Sequence, residues 1–300
     1  MLASAVALFG LVLPQVAHHI APRAGQPTMT AAEGDVPAII VGGGRIGGLL
    51  ASLGPSTVLK RDEPFPAEPT EGPIYVCTRN DALEGVIEMT PPHRREDLVF
   101  LQNGMLEDFL EGKGLADATQ VLLYLAVTKA GAEPIDGITS ENKEGLTAAT
   151  GKWADAFTAR LAAGGLTCKS LAGDAFTQAM LEKHVWICAF MLVGALNGGI
   201  TVGETMVASR TTWDKEKQLS LIIAELCAAG EEALGVKLPP RTLERLLAYG
   251  RSVHFFPTAV KELEWRNGWF YKISQAAVAA GKPDPMPLHT AGLKKLKVVK

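Results

Sequence analysis

The chain has 300 residues, 47% of them apolar and 20% charged, a balance that can bury a large core and excludes a mainly disordered or fibrous protein. A formal charge of −3 at pH 7 gives no broad cationic field, so nucleic acid is not an expected partner. Cys77, Cys168, Cys188 and Cys227 are widely spaced and form no CxxC, and the histidines are scattered; the cysteines read as reduced core thiols, and no metal is expected.

Residues 1–34 differ from the rest, with an apolar run from Leu2 to Leu13, then Pro14, His18, His19 and Arg23, and no acid before Glu33. The run is shorter than the roughly 20 apolar residues that cross a bilayer, so no stable membrane span is expected. The segment reads as a leader or a flexible extension. A transit peptide would place the protein in a plastid or mitochondrion; without one the expected compartment is the cytoplasm.

From Val36 the text becomes "VPAIIVGGGRIGGLLASLG", which predicts a strand over Ala38–Val41, a glycine turn, and a helix opened by Arg45 and Ile46. "STVLKRD" predicts a second strand, and a proline-rich loop follows from Pro64 to Pro73. "PIYVCTRND" predicts a strand running into a polar turn, then a helix through about Glu88, and "EDLVFLQNGM" another strand. Strands alternating with helices imply a mostly parallel sheet, because parallel neighbours need crossover connections. After "TQVLLYLAVTKAG" come extended pieces near Ile135 and Gly145, a helix over Lys152–Ala163, and a last strand around Leu166–Leu171.

A boundary is expected near Ala172, which divides a part of alternating strands and helices (35–172) from an all-helical part (173–300). The fold class is therefore α/β. Helices are predicted over "AFTQAMLEKHVWICAFMLVGAL", Asp214–Leu234, Arg241–Tyr249 and Ala259–Ala280, and the basic tail "GLKKLKVVK" reads as a solvated helix end. Trp153, Trp186, Trp265, Trp269, Phe255 and Phe256 either line a cleft or fill core.

Gly42, Gly44 and Gly47 form a GxGxxG between a strand and a helix, with Gly43, Arg45 and Ile46 completing the turn. The first glycine permits the tight turn, the second lets backbone approach a pyrophosphate, and the third allows close packing of the helix, whose N-terminus supplies unpaired N–H groups. The end of the second strand selects the cofactor. An acid there holds a ribose 2′-OH and a base holds a 2′-phosphate. Asp62 stands where an NAD-selecting acid is expected, but Lys60 and Arg61 precede it, which favours NADP over NAD.

These residues, with four further segments, resemble the ketopantoate reductase family within the 6-phosphogluconate-dehydrogenase-like superfamily, from roughly Ala38 to Leu293. The resemblance implies that Thr78 and Arg79 of "VCTRND" approach the cofactor, and that Asn103 of "LQNGM" lies near nicotinamide and substrate. It implies that Lys183 of "LEKHVW" is the catalytic lysine, faced by Glu262 of "KELEWRNGWFYKISQAAVAAG" on a late helix. Hydride reduction of a ketone leaves charge on oxygen, which a positioned ammonium group can quench. With the glycine turn, the resemblance makes 35–172 a Rossmann dinucleotide-binding domain and 173–300 a helical substrate and dimerisation domain, and it implies NADP-dependent reduction of a small keto acid or related carbonyl compound, with a homodimer as the expected assembly.

The chain departs from the family where asparagines usually hold the substrate, with Ile187 and Met191 one and two turns after Lys183. Ser252, in "RSVHFFPTAVKE", is the candidate for the serine that contacts substrate. These departures keep open a second reading, a non-catalytic NADP(H)-binding sensor.

Overall fold

The structure is a computed structural model that describes residues 36–61, 63–207 and 215–300; the leader segment, Asp62 and Asp214 lie outside the described residues. Strand β1 (Ala38–Val41) is Ala-Ile-Ile-Val and buried at every position, as a central parallel strand covered on both faces must be. Helix α1 (Arg45–Ser52) follows the glycines, then β2 (Ser56–Leu59), the proline-rich loop, β3 (Ile74–Val76), α2 (Leu83–Met89), β4 (Leu98–Phe100), α3 (Glu107–Gly112) and β5 (Thr119–Leu122). The sheet is completed by β6 (Ala148–Thr150), α4 (Ala154–Ala163) and β7 (Lys169–Ser170), in the spatial order β2-β1-β3-β4-β5-β6-β7. All neighbours are parallel except β5 and β6.

Successive strand residues face opposite sides. Ile39, Val41, Ile74, Val76, Leu98 and Phe100 pack with Leu83, Val86 and Leu110 from α2 and α3. Ala38, Ile40, Tyr75 and Val99 pack with Leu50, Phe157 and Leu161 from α1 and α4. The sheet is thus doubly wound. The chain winds outward from β1 to β2, then crosses back over β1 to β3, and the reversal opens a crevice at the carboxyl ends of β1 and β3.

Two buried arginines hold the ends of this layer. Arg94 donates to Pro69 O and Gly72 O, both at 2.7 Å, and to Asp97 Oδ2 at 2.6 Å, which pins the proline-rich loop. Arg160, fully buried on α4, donates to Leu50 O at 3.2 Å and to Val36 O and Pro55 O at 3.0 Å. It ties the end of α1 to the entries of β1 and β2. Replacing Arg160 with methionine keeps much of its volume but takes a donor from three carbonyls, of which Leu50 O and Pro55 O keep a backbone N–H, and is expected to cost about 2 kcal/mol or more. Urea unfolding measures it; a change below about 0.5 kcal/mol, the range of ordinary surface substitutions, would contradict this account.

Beyond β7 the chain is helical: α5 (Asp174–Leu196), α6 (Val202–Thr205), α7 (Lys215–Leu234), α8 (Thr242–Ser252), α9 (Asn267–Ala279) and α10 (Pro287–Lys295). Helix α5 is long and apolar enough to cross a membrane, but 72% of its apolar window is buried within the protein. Leu181, Val185, Leu192, Leu219, Ile222, Leu226 and Leu293 form the core between α5, α7 and α10.

The helix expected over Ala259–Ala280 begins only at Asn267. Glu262 has φ +48°, a left-handed conformation that no α-helix contains, and a single 3-10 turn over Leu263–Trp265 follows. The turn is held from outside itself, because Met105 N donates to Trp265 O at 2.8 Å. Gly104, at φ +124°, is required there: a Cβ would lie 2.4 Å from Trp265 O.

Candidate functional site

The glycine turn sits at the carboxyl end of β1. Gly42 has φ +100°, and Gly47 lies so close beneath it that a Cβ would fall 1.9 Å from Gly42 O. A Cβ at Gly44 would meet nothing within 4 Å. Gly42 and Gly47 therefore serve the protein's own packing, whereas Gly44, exposed like Gly43, leaves room for something outside it. Gly44 caps α1 with no side-chain hydrogen bond, and the first turn holds no acid, so the positive end of the helix dipole is unopposed by any carboxylate in that turn. Arg45 turns aside and donates from Nη1 to Val127 O at 3.0 Å.

Lys60 and Arg61 are both exposed at the end of β2, and the Lys60 N–H donates to Glu63 Oε2 at 2.8 Å. Neither side chain has an ion-pair partner among the described residues. Thr78 stands beside the glycine turn, its methyl 3.3 Å from where a Gly42 Cβ would be, and its buried hydroxyl makes no hydrogen bond. That orphaned hydroxyl, the open space at Gly44 and the uncapped helix end fit a polyanion such as a dinucleotide diphosphate.

The turn opens into a cleft of about 240 Å³ bounded by Ile46, Thr78, Asn103, Leu123, Glu262 and Arg266. Gln102 on its floor donates from Nε2 to Val76 O and Thr78 O at 2.8 and 3.0 Å, which fixes the end of β3 from β4. Asn80 is buried, donates from Nδ2 to Asn103 O at 3.2 Å, and offers its N–H to Glu262 Oε1 at 3.4 Å. Arg79 borders the cleft but reaches outward to Asp81, with its side chain 77% exposed.

Lys183 is buried on α5. Its Nζ donates to Leu123 O at 2.6 Å, directly behind the cleft wall, and lies 4.1 Å from the centre of the Tyr124 ring. Burial first, and the Arg266 charge second, bring its pKa from 10.5 down to about 7. Glu262, which the resemblance pairs with this lysine, forms its ion pair with Arg266 instead. Glu262 lines the cleft, whereas Lys183 lies behind its Leu123 wall.

Ser252 does not border the cleft; its hydroxyl donates to Tyr249 O at 2.8 Å at the end of α8. Ile187 is buried in the helical core and Met191 packs against it. Asn80 and Arg266 were absent from the sequence reading. Their signals were an Asn directly after Arg79, and a cation four residues beyond Glu262, the spacing of a helical ion pair.

A second cleft of about 630 Å³ adjoins the first through Asn80 and is walled by Phe109, Trp265 and Trp269. Trp186, by contrast, is core, and Trp153 binds Asp97 Oδ1 through its indole N–H at 3.0 Å. The four cysteines are free, and burial raises every thiol; Cys77, on the cleft floor, is pushed up to about 12 and is inert.

No protein-family model and no curated protein matches the chain. Solved structures do. A ketopantoate reductase from Ralstonia eutropha JMP134 is 17% identical, with a TM-score of 0.60 over 86% of this chain and 97% of its own. A dimeric ketopantoate reductase from Staphylococcus aureus is 15% identical, with a TM-score of 0.61 over 88% and 98%. A D-mandelate dehydrogenase solved with NADH and anilino(oxo)acetate is 12% identical, with a TM-score of 0.58 over 87% and 100%. The architecture is a Rossmann sheet followed by a helical region. Within that class the chain has the ketopantoate reductase fold.

Proposed function

We propose that the protein is an NADP(H)-dependent oxidoreductase that reduces a small keto acid or related carbonyl compound. The observation that carries this reading is a buried lysine of depressed pKa hydrogen-bonded to the wall of the cleft into which the glycine turn opens. Support also comes from neighbours of the same fold named as reductases of ketopantoate and as a mandelate dehydrogenase bound to NADH.

Gly42 to Gly47, with the Thr78 hydroxyl, would hold the diphosphate, and Lys60 and Arg61 the 2′-phosphate; the bound cofactor supplies a hydride. Lys183 moves from Leu123 O to the substrate oxygen and gives up its proton there as negative charge develops. Asn103 lies at the same wall to orient the reactants, and Glu262 fixes Arg266 and the Asn80 N–H around it. In this reading residues 35–172 bind cofactor and residues 173–300 complete the substrate cleft and offer a dimer surface.

Fluorescence titration with NADPH and NADH tests the cofactor, and NADPH oxidation against a panel of keto acids tests the activity. Binding without turnover of any of them would favour the sensor reading. Lys60→Ala with Arg61→Ala is expected to weaken NADPH about 10- to 100-fold, as loss of charge-assisted phosphate contacts does, and to leave NADH unchanged. Equal loss for both cofactors would remove these residues from 2′-phosphate recognition.

A further inference from the structure

The second cleft, of about 630 Å³, takes no part in the proposed reduction. Phe109, Trp265 and Trp269 wall it with three aromatic rings. Trp265 is held there by its own backbone, since Met105 N donates to its carbonyl at 2.8 Å, and its indole makes a T-shaped contact with the Phe109 ring at 5.1 Å. Aromatic faces carry the negative part of a quadrupole and attract cations. The cleft shows this preference within the chain itself, because Lys113 Nζ stands 5.8 Å from the centre of the Phe109 ring.

The charges around the rings act in the same sense. Asp81, Glu84, Asp108 and Glu264 line the cleft, against the ammonium groups of Lys113 and Lys272. Arg79 pairs with Asp81, and Lys113 with Glu84. Among the described residues Asp108 and Glu264 have no ion-pair partner, which leaves two carboxylates facing the unpaired Lys272 and a surplus of negative charge.

A third observation gives the hydrogen-bonding character of the missing occupant. Asn80 is only 4% exposed, and its Nδ2 is taken by Asn103 O at 3.2 Å. Its Oδ1 accepts no hydrogen bond among the described residues and remains open to solvent. A nearly buried amide whose acceptor is unused, beside ring faces and unpaired carboxylates, is matched by a donor that carries positive charge.

We propose that this cleft binds an organic ammonium ion, its apolar body against Trp265 and Trp269, its N–H on Asn80 Oδ1 and its charge in the field of Asp108 and Glu264. A small inorganic cation would leave the rings without a partner, and no metal-holding group of His, Cys, Asp or Glu is found among the described residues. An anion would meet the surplus carboxylates, and a neutral aromatic would leave them unused. The site adjoins the first cleft through Asn80 but does not depend on the reductase reading.

Benzylamine, protonated at neutral pH, is the probe, with benzyl alcohol as its neutral counterpart, both measured by calorimetry on the full chain. Benzylammonium is expected to bind in the millimolar range and benzyl alcohol about 10-fold more weakly, a preference that shrinks as salt is added. Asp108→Asn with Glu264→Gln is expected to weaken benzylammonium about 10-fold, with the affinities for benzyl alcohol and NADPH unchanged. Trp265→Leu keeps the carbonyl that Met105 holds and is expected to weaken benzylammonium about 10-fold as well. If that variant does not fold, the carboxylate variant decides, because both of its positions are exposed. Equal binding of amine and alcohol makes the cleft an apolar groove and overturns the proposal. So does the absence of benzylamine binding at about 10 mM, or an unchanged affinity in the carboxylate variant. Benzylammonium binding by a chain that binds no NADPH leaves the proposal standing and removes the reductase reading.

Discussion

Replacing Lys183 with methionine is expected to lower turnover by about 10²- to 10⁴-fold, the usual contribution of a positioned acid, and at the same time to make the protein more stable. The second effect follows from burial. The lysine has a pKa of about 7 in the folded chain against an ordinary 10.5 when unfolded. Below about pH 7 both states carry the proton and the folded state bears the whole penalty of a buried charge, on the order of 5 kcal/mol. Between 7 and 10.5 the unfolded chain holds more protons than the folded one, so wild-type stability rises with pH across that window, and above it the penalty is gone. The Tm advantage of Lys183→Met should therefore be largest near pH 6 and close toward pH 10, measured by thermal unfolding. The same pKa gives the kinetic signature. Reduction needs the protonated form, so wild-type kcat/KM should fall about tenfold per pH unit above about 7. A variant that is less active and also less stable at every pH would make Lys183 a structural residue; one that turns over normally would remove it from the chemistry.

That conflict between stability and chemistry explains which parts of the molecule were legible in the sequence. The sheet was, because Ala38–Val41, Ile74–Val76 and Leu98–Phe100 are unbroken apolar runs between turn signals, and burial on both faces is what such runs require. The glycine turn was legible for a similar reason. Only glycine accepts φ +100° at Gly42 and the contact at Gly47. The helix over Ala259–Ala280 misled, because the local pattern is helical from Glu262 onward. Tertiary structure overrides it by drawing the Trp265 carbonyl to Met105 N and forcing Glu262 into a left-handed turn. The short α3 and α6 escaped because neither is long enough to show a period. Lys183 was singled out by resemblance, and the fold places it behind the Leu123 wall of the cleft; Arg266 was not singled out. A cation four residues from an acid is ordinary on helix surfaces, and only the fold shows that this pair lies in a cleft.

Two alanine substitutions in the glycine turn are expected to separate folding from cofactor binding. At Gly44 the backbone has φ −71°, which alanine accepts, and an added methyl meets no atom within 4 Å. Gly44→Ala should leave stability within about 1 kcal/mol of wild type, the entropy gained over glycine offsetting a poorer helix cap. Its effect should appear in binding, because the methyl stands where a diphosphate must approach the first turn of α1; NADPH affinity should drop on the order of 100-fold. Gly47→Ala is the opposite case. Its methyl would be 1.9 Å from Gly42 O and 3.2 Å from the Ile40 side chain, so α1 must shift away from β1. The overpacking is against backbone that has nowhere to relax, and a loss of about 3 kcal/mol, with NADPH binding lost as well, is expected. Urea midpoints and fluorescence titration on the two variants read both quantities. If Gly44→Ala binds NADPH as wild type does, the turn serves strand-to-helix packing alone and the cofactor lies elsewhere. If Gly44→Ala unfolds the protein as Gly47→Ala does, the open space at Gly44 is filled by the chain itself.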